Sequence, residues 1–92
     1  MATDERAREI IAASAALARA EAEEWEARRQ HNQSWDHLDA ARERLHTATA
    51  EEWDALLTQF HAQQAAWDVT DGALDRAYWD RKRASWKAER AH

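Results

Sequence analysis

Histidines and acidic residues are the side chains of this 92-residue chain whose types could do metal or acid–base chemistry. There are five His and 18 Asp or Glu. Glu43 and His46 have the Glu-x-x-His spacing that puts a carboxylate and an imidazole on one helix face, as in di-iron helical bundles. A bundle site needs two such motifs and two further glutamates, so this pair suggests a metal centre only within a symmetric dimer. The simpler interpretation is that His46 is solvated near a helix end, where the helix dipole favours it.

Other catalytic arrangements are missing from the sequence. Without cysteine the chain has no thiolate nucleophile and no disulfide framework. It has one glycine, so the backbone can hardly form a phosphate-binding loop or an oxyanion hole. We therefore expect a non-enzymatic protein with no catalytic residues, no metal and no cofactor.

Six tryptophans are the most informative residues, because tryptophan is among the side chains most enriched at the centres of protein interfaces. Five of the six are followed directly by an acid, and only Trp86 is followed by a lysine. Trp79 and Trp86 lie seven residues apart on a stripe with Lys82, Arg83 and Arg90, beside the face that carries Leu74 and Tyr78. The residues we expect to bind a partner are Trp25, Trp35, Trp79, Arg83 and Trp86.

The aliphatic core is thin. The chain has 23 alanines but only nine Leu, Ile or Val residues, so aromatic side chains must supply much of the buried apolar area. A small fold with so few large aliphatic residues needs further support, such as self-association. We expect a protein partner or a second copy of the chain, and a homo-oligomer in the second case.

Helical periodicity runs through the whole chain, and its length suits a single domain over residues 1–92. Thr3 is the expected first cap, with Asp4 and Glu5 in the first turn. The polar segment 31–34 predicts a break or kink, with Ser34 capping a new helix. One unbroken helix from about Thr3 to His46, roughly 65 Å long, fits equally well and would imply an elongated hairpin or a dimer.

Two later boundaries are predicted from capping and turn residues. Thr49 and Glu52 have the spacing of a capping box, so a helix should begin near Trp53. Val69 to Gly72 contains the only glycine, so a turn is expected there, followed by a final helix from about Asp71 to Arg90. The predicted fold is all-α: an antiparallel bundle or elongated hairpin of three main helices, the first long or kinked near 31–34.

The apolar spacing also predicts which residues face inward. In the first helix these are Ala7, Ile10, Ile11, Ser14, Leu17, Ala18 and Trp25. In the middle helix they are Trp53, Leu56, Leu57, Phe60, Gln64 and Trp67. In the last helix they are Leu74, Ala77, Tyr78, Arg81 and either Ala84 or Ser85.

Charge is unevenly divided along the chain. Residues 1–33 sum to −2, residues 34–70 to −5 and residues 71–92 to +2. The basic last helix is therefore expected to pack against the acidic middle helix and neutralise it. The middle segment predicts an acidic surface formed by Asp36, Asp39, Glu43, Glu51, Glu52 and Asp54.

Two functions follow from these features. The first is a non-enzymatic helical module that self-associates or docks on a partner through tryptophan-bearing helix faces. The alternative is a small acidic inhibitor, such as a phage-encoded antagonist of host defence, an antitoxin or an immunity protein, that blocks a target protein, for example by mimicking nucleic acid.

Location and the remaining partner classes follow from charge and the N-terminal residues. The net charge of −5 opposes binding to nucleic acid or anionic membranes. The first residues lack a signal peptide, and no apolar run is long enough to cross a membrane. The expected location is the cytoplasm, or the host cytoplasm if the protein is viral.

Overall fold

A computed structural model describes residues 2–92 and shows one long helical hairpin. Helix α1 spans Ala2–His46, helix α2 spans Trp53–Ala91, and residues 47–52 connect them. The hairpin measures 74 × 13 × 13 Å, and its radius of gyration is 20.8 Å, against about 12 Å for a compact domain of this length. The prediction of an all-helical fold is confirmed, and no strand occurs within the described part of the chain.

There are two main helices in place of the three predicted. The turn expected at Val69–Gly72 and the separate helix from Asp71 to Arg90 do not form, because α2 continues through both. Gly72 keeps an ordinary negative φ. A glycine costs a helix only about 1 kcal/mol, and packing against α1 along the whole length of α2 outweighs that cost.

Helix α1 is also unbroken, so the predicted break at 31–34 and the cap at Ser34 are wrong. The alternative of one helix ending at His46 is confirmed. It begins at Ala2, ahead of Thr3, which is therefore not its cap, whereas Asp4 and Glu5 do lie in the first turn. The polar run at 31–34 stays helical because His31 and Ser34 face α2, as described below.

The connection between the helices confirms the predicted boundary at Trp53. The backbone N–H of Glu52 donates a hydrogen bond to the Thr49 hydroxyl oxygen (3.3 Å), and that hydroxyl donates to the Glu52 carboxylate (2.9 Å). The Glu52 N–H also donates to the Thr49 carbonyl (3.1 Å), so these bonds close a turn that precedes the helix. The predicted capping box does not cap α2 itself, because the N-cap is Glu52 and makes no side-chain capping bond.

Most of the buried and half-buried residues recur at alternating spacings of three and four along both helices, and we call this set the seam. In α1 they are Ile10, Ala13, Leu17, Ala20, Glu24, Ala27, His31, Ser34, Leu38, Ala41 and Leu45. In α2 they are Leu56, Phe60, Gln63, Trp67, Thr70, Leu74, Ala77, Arg81, Ala84, Ala88 and Ala91. This seven-residue repeat is that of a left-handed coiled coil, here folded back on itself.

In several layers of the seam a small residue lies opposite a large one. The His31–Thr70 contact indicates a register in which facing residue numbers sum to 101, and Arg81 reaches one turn along α1 from this register to bond Glu24. In that register Ala41 faces Phe60, Ser34 faces Trp67, Ala27 faces Leu74 and Ala20 faces Arg81. The Cα atoms of the pair span 13 Å across the hairpin. Because the Cα atoms of each helix lie about 2.3 Å from its axis, the two axes are about 8 Å apart, at the close end of the usual range.

Several residues predicted to face inward lie outside the seam. Ala7, Ile11, Ser14, Ala18 and Trp25 are exposed in α1, as are Trp53 and Gln64 in α2, and Tyr78 is 37% exposed. The prediction is right for Ile10, Leu17, Leu56, Leu57, Phe60, Trp67, Leu74, Ala77, Arg81, Ala84 and Ser85. Ile11, Ala18 and Trp25 are seven residues apart, as are Ala7 and Ser14, so they follow the same repeat as the seam but lie on neighbouring faces of α1. The apolar spacing does not distinguish those faces from the one that packs on α2.

The predicted neutralisation of an acidic middle helix by a basic last helix does not occur. Both segments belong to α2 and cannot pack against each other. Residues 71–91 face the first half of α1 instead, and the ion pair they make with it is Arg81–Glu24, together with the His31–Asp71 contact.

Replacing Gly72 by alanine is expected to stabilise the hairpin by about 0.5–1 kcal/mol, since alanine restricts the unfolded chain. A Cβ atom at Gly72 would lie 3.5 Å from Nη1 of Arg76, an ordinary van der Waals distance. Thermal unfolding followed by circular dichroism measures the change. Ala73→Gly, one position along, is the control and should destabilise; equal midpoints for all three proteins would contradict a continuous α2.

Candidate partner-binding surfaces

A charged layer crosses the seam near its middle. Glu24 is buried, and its carboxylate accepts hydrogen bonds from Arg81 of the opposite helix and from Arg28 (2.9 Å) one turn along α1. Ala77 faces Glu24 and Ala20 faces Arg81, and these small residues leave room for the two long side chains. Both carboxylate oxygens are therefore bonded, as burial of a charge requires.

A second polar layer surrounds His31. Its Nδ1 lies 3.1 Å from the Thr70 hydroxyl oxygen, and its Nε2 lies 3.5 Å from an Asp71 carboxylate oxygen. The Thr70 hydroxyl donates to the Trp67 carbonyl (3.0 Å), so its oxygen is left to accept a hydrogen bond from Nδ1. The Trp67 ring lies 5.1 Å from the imidazole and 6.4 Å from Trp35. These contacts join the helices through polar and aromatic groups.

Five of the six tryptophans lie largely outside the seam. Trp25 is 67% exposed, and Trp35, Trp53, Trp79 and Trp86 are 45–47% exposed. Only Trp67 is packed between the helices. The four tryptophans predicted to bind a partner are thus at the surface, but they belong to two separate surfaces.

The first surface, which we call the aromatic flank, comprises Ile11, Trp25, Trp35 and Tyr78. The seven-residue repeat places them on one side of the hairpin, and Arg28 lines two grooves there. One groove, of about 430 Å³, contains Leu74 and Tyr78, and the other lies beside Trp25. The flank therefore offers exposed rings and open grooves on both helices.

The second surface is the outer side of α2, which points away from α1. Trp79, Arg83 and Trp86 lie on it, and all three are exposed. Trp79 packs edge-on against the Tyr78 ring at 5.3 Å, and Arg83 is paired with Asp80 at 2.5 Å. The predicted site residues are thus divided, with Trp25 and Trp35 on the flank and the other three behind α2.

The six residues of the predicted acidic surface gather at the closed end of the hairpin. They are Asp36, Asp39, Glu43, Glu51, Glu52 and Asp54, and all but the half-buried Asp39 are exposed. Asp39 is paired with Arg42, and Glu52 is bonded to Thr49. The remaining four carboxylates face solvent around the connection.

The Glu43–His46 pair lies at the same closed end. A second Glu-x-x-His pair, Glu89 and His92, lies at the open end of the 74 Å hairpin, so the expectation that only a dimer could supply a second pair is wrong. Within residues 2–92, no three His, Asp or Glu side chains come together as a metal-binding group. The two pairs therefore do not form one site within a single chain.

None of the helices in the described range has a stretch apolar enough to cross a membrane.

Sequence reasoning missed Glu24 and His31 as contacts between the helices. The signal was present, because residues 10, 17, 24, 31, 38 and 45 are seven apart and four of them are Ile or Leu. A charged residue and a histidine at such positions mark polar layers of a coiled coil.

No known protein family, curated protein or solved structure matches this chain.

Proposed function

We propose that this chain is a non-enzymatic protein–protein interaction module, which associates with itself or docks on a partner through its exposed tryptophans. The observation that carries the proposal is that the seam is filled mainly by small and polar residues while five indole rings remain outside it. Aromatic residues are enriched at interfaces between proteins. The aromatic flank extends over about 36 Å of α1, from Ile11 to Trp35, and both helices contribute to it.

The exposed area supports association. A compact monomer of 10.7 kDa exposes about 5,500 Å², whereas this hairpin exposes 6886 Å². The excess, about 1,400 Å², exceeds the roughly 800 Å² that each partner contributes to a standard interface. A second hairpin covering the flank would produce a four-helix arrangement with an ordinary proportion of buried surface.

Replacing both Trp25 and Trp35 by alanine is expected to abolish self-association while leaving the helix content unchanged. Light scattering over a wide concentration range measures the mass, which should rise to a multiple of 10.7 kDa for the natural sequence and stay at 10.7 kDa for the variant. Trp53→Ala, near the connection, is the matched control and should associate normally. A natural chain that stays monomeric at high concentration would contradict self-association.

A second candidate function is favoured by the acidic closed end. Four exposed carboxylates without ion pairs among the described contacts cluster there, and such a surface suits an inhibitor that covers a basic site on a target. Ionic strength separates the two proposals. Binding through the closed end should weaken steeply as salt is raised, whereas contacts through the aromatic flank should change little.

A further inference from the structure

We propose that the outer side of α2 binds an acidic, amphipathic helix of a partner protein. The residues that carry this inference are Arg76, Trp79, Arg83, Trp86 and Arg90, which we call the Arg–Trp stripe. It rests on the proposed role as an interaction module and names a second surface, distinct from the aromatic flank, and the chemistry of its partner.

Arginine and tryptophan alternate along the stripe at spacings of three, four, three and four residues. This spacing keeps all five side chains on one side of the helix over about 21 Å. Every one of the five is exposed. Trp79 and Trp86 lie on the side of α2 opposite the seam, whereas Arg83 lies at the border of that side, where it lines a groove with Ala12 and Ala16 of α1.

The stripe differs in charge from the rest of the molecule. Its five residues include three bases and no acid, and Lys87 adds a further positive charge beside it; Asp80 and Glu89 are the acids that adjoin it, whereas the whole chain carries −5. The Asp80 carboxylate holds the Arg83 guanidinium at 2.5 Å, in an exposed pair that solvent screens. Separate carboxylates of a partner can therefore bind Arg76 and Arg90 directly, and a third can share the Arg83 guanidinium with Asp80.

The residue types favour a protein helix as the partner. Trp and Arg are the side chains most enriched among residues that dominate binding energy. The two indoles are about 10 Å apart, which is the distance between apolar residues two turns apart on a facing helix. The three arginines are also seven residues apart, so they can pair with acids that recur every seven residues on that helix. This arrangement predicts acids and large apolar residues alternating along the partner.

Lipid and nucleic acid are less suited to the stripe. A helix that inserts into a membrane surface needs a wide apolar face, whereas the Arg–Trp stripe has only two apolar side chains, Trp79 and Trp86. Three arginines in a line neutralise few phosphates, and the remaining acidic surface of the chain repels the others. Both classes serve as comparisons in the test.

The test uses the full chain and a synthetic helical peptide in which glutamate and leucine alternate at three- and four-residue spacing. Binding is followed by fluorescence anisotropy of the labelled peptide. Arg83→Glu and Trp86→Ala are each expected to weaken binding about thirtyfold, as loss of a dominant interface residue does. Trp25→Ala, on the aromatic flank, should bind the peptide as the natural chain does.

Circular dichroism of each variant checks that the hairpin is folded, and the same peptide with lysine in place of glutamate should not bind. Three results would overturn the proposal: no binding of the acidic peptide, equal binding by Arg83→Glu, or binding only to phosphatidylserine vesicles or duplex DNA. Because light scattering of Trp25 and Trp35 variants reports on the flank alone, failure of the stripe is distinguishable from failure of the proposed function.

Discussion

Trp67→Ala is expected to lower the free energy of unfolding by about 3 kcal/mol, near the lower end of the range for buried aromatic residues. Trp67 is the one tryptophan packed in the seam, opposite Ser34, and its ring lies against His31 and Trp35. Truncation leaves a cavity that serine is too small to fill. Chemical unfolding followed by circular dichroism measures the change.

Trp53→Ala is the matched control for Trp67→Ala. The spacing of apolar residues predicts that both are core residues, but Trp53 is 46% exposed. Its truncation should therefore cost about 1 kcal/mol or less. Equal losses for the two variants would show that Trp67 is not the more deeply packed residue, and would contradict the register.

Glu24→Ala should also be strongly destabilising, by about 2–3 kcal/mol. It leaves Arg81, whose side chain is only 28% exposed, without its carboxylate partner in the seam. The expected loss of stability is smaller than the usual cost of breaking a buried ion pair, because the Arg81 side chain still reaches solvent. Replacing both Glu24 and Arg81 by leucine should restore most of the stability, since apolar residues often substitute for a buried pair without loss.

Glu26→Ala is the control for Glu24→Ala. Glu26 lies on the exposed side of the same helix turn, where hydrogen bonds from the Arg29 guanidinium lower the pKa of its carboxyl. Its removal should leave the unfolding midpoint unchanged, because solvent screens this pair. A Glu24→Ala variant as stable as Glu26→Ala would show that the charged layer does not hold the helices together.

The Glu24–Arg81 pair also bears on the register of the two helices. The seam contains many alanines, and small apolar residues alone specify a register weakly. Charged and polar layers at Glu24 and His31 favour the register that pairs them with Arg81 and Thr70. A defined register keeps Trp25, Trp35 and Tyr78 on one flank, so these layers position the proposed surface.

Much of the fold is predictable from the sequence because local signals and tertiary packing agree there. The capping residues Thr49 and Glu52 mark the one connection, and the helical periodicity is continuous on both sides of it. Gly72 and the polar segment 31–34 mislead because their local preferences are weak. Contacts with the opposite helix, which a local pattern does not reveal, decide in favour of long helices.

The candidate surfaces are predictable only in part. The exposure of four tryptophans is predictable from their polar neighbours in the sequence: Trp25, Trp35, Trp79 and Trp86. Their division into two surfaces depends on the rotation of each helix about its axis, which is fixed by the 3.5-residue seam. Ile11, Ala18 and Trp25 are seven residues apart and share one face, which spacing alone does not distinguish from the adjacent face that carries Ile10, Leu17 and Glu24.

The most direct test of the account is the solvent accessibility of each indole ring at low and high protein concentration. Fluorine NMR of 5-fluorotryptophan-labelled protein, with a soluble paramagnetic quencher, resolves the six rings. We expect Trp67 to be protected at every concentration, and Trp25 and Trp35 to become protected as the chain associates. If all six rings remained open to the quencher at high concentration while the chain stayed helical, the proposal that tryptophans outside the seam drive association would be contradicted.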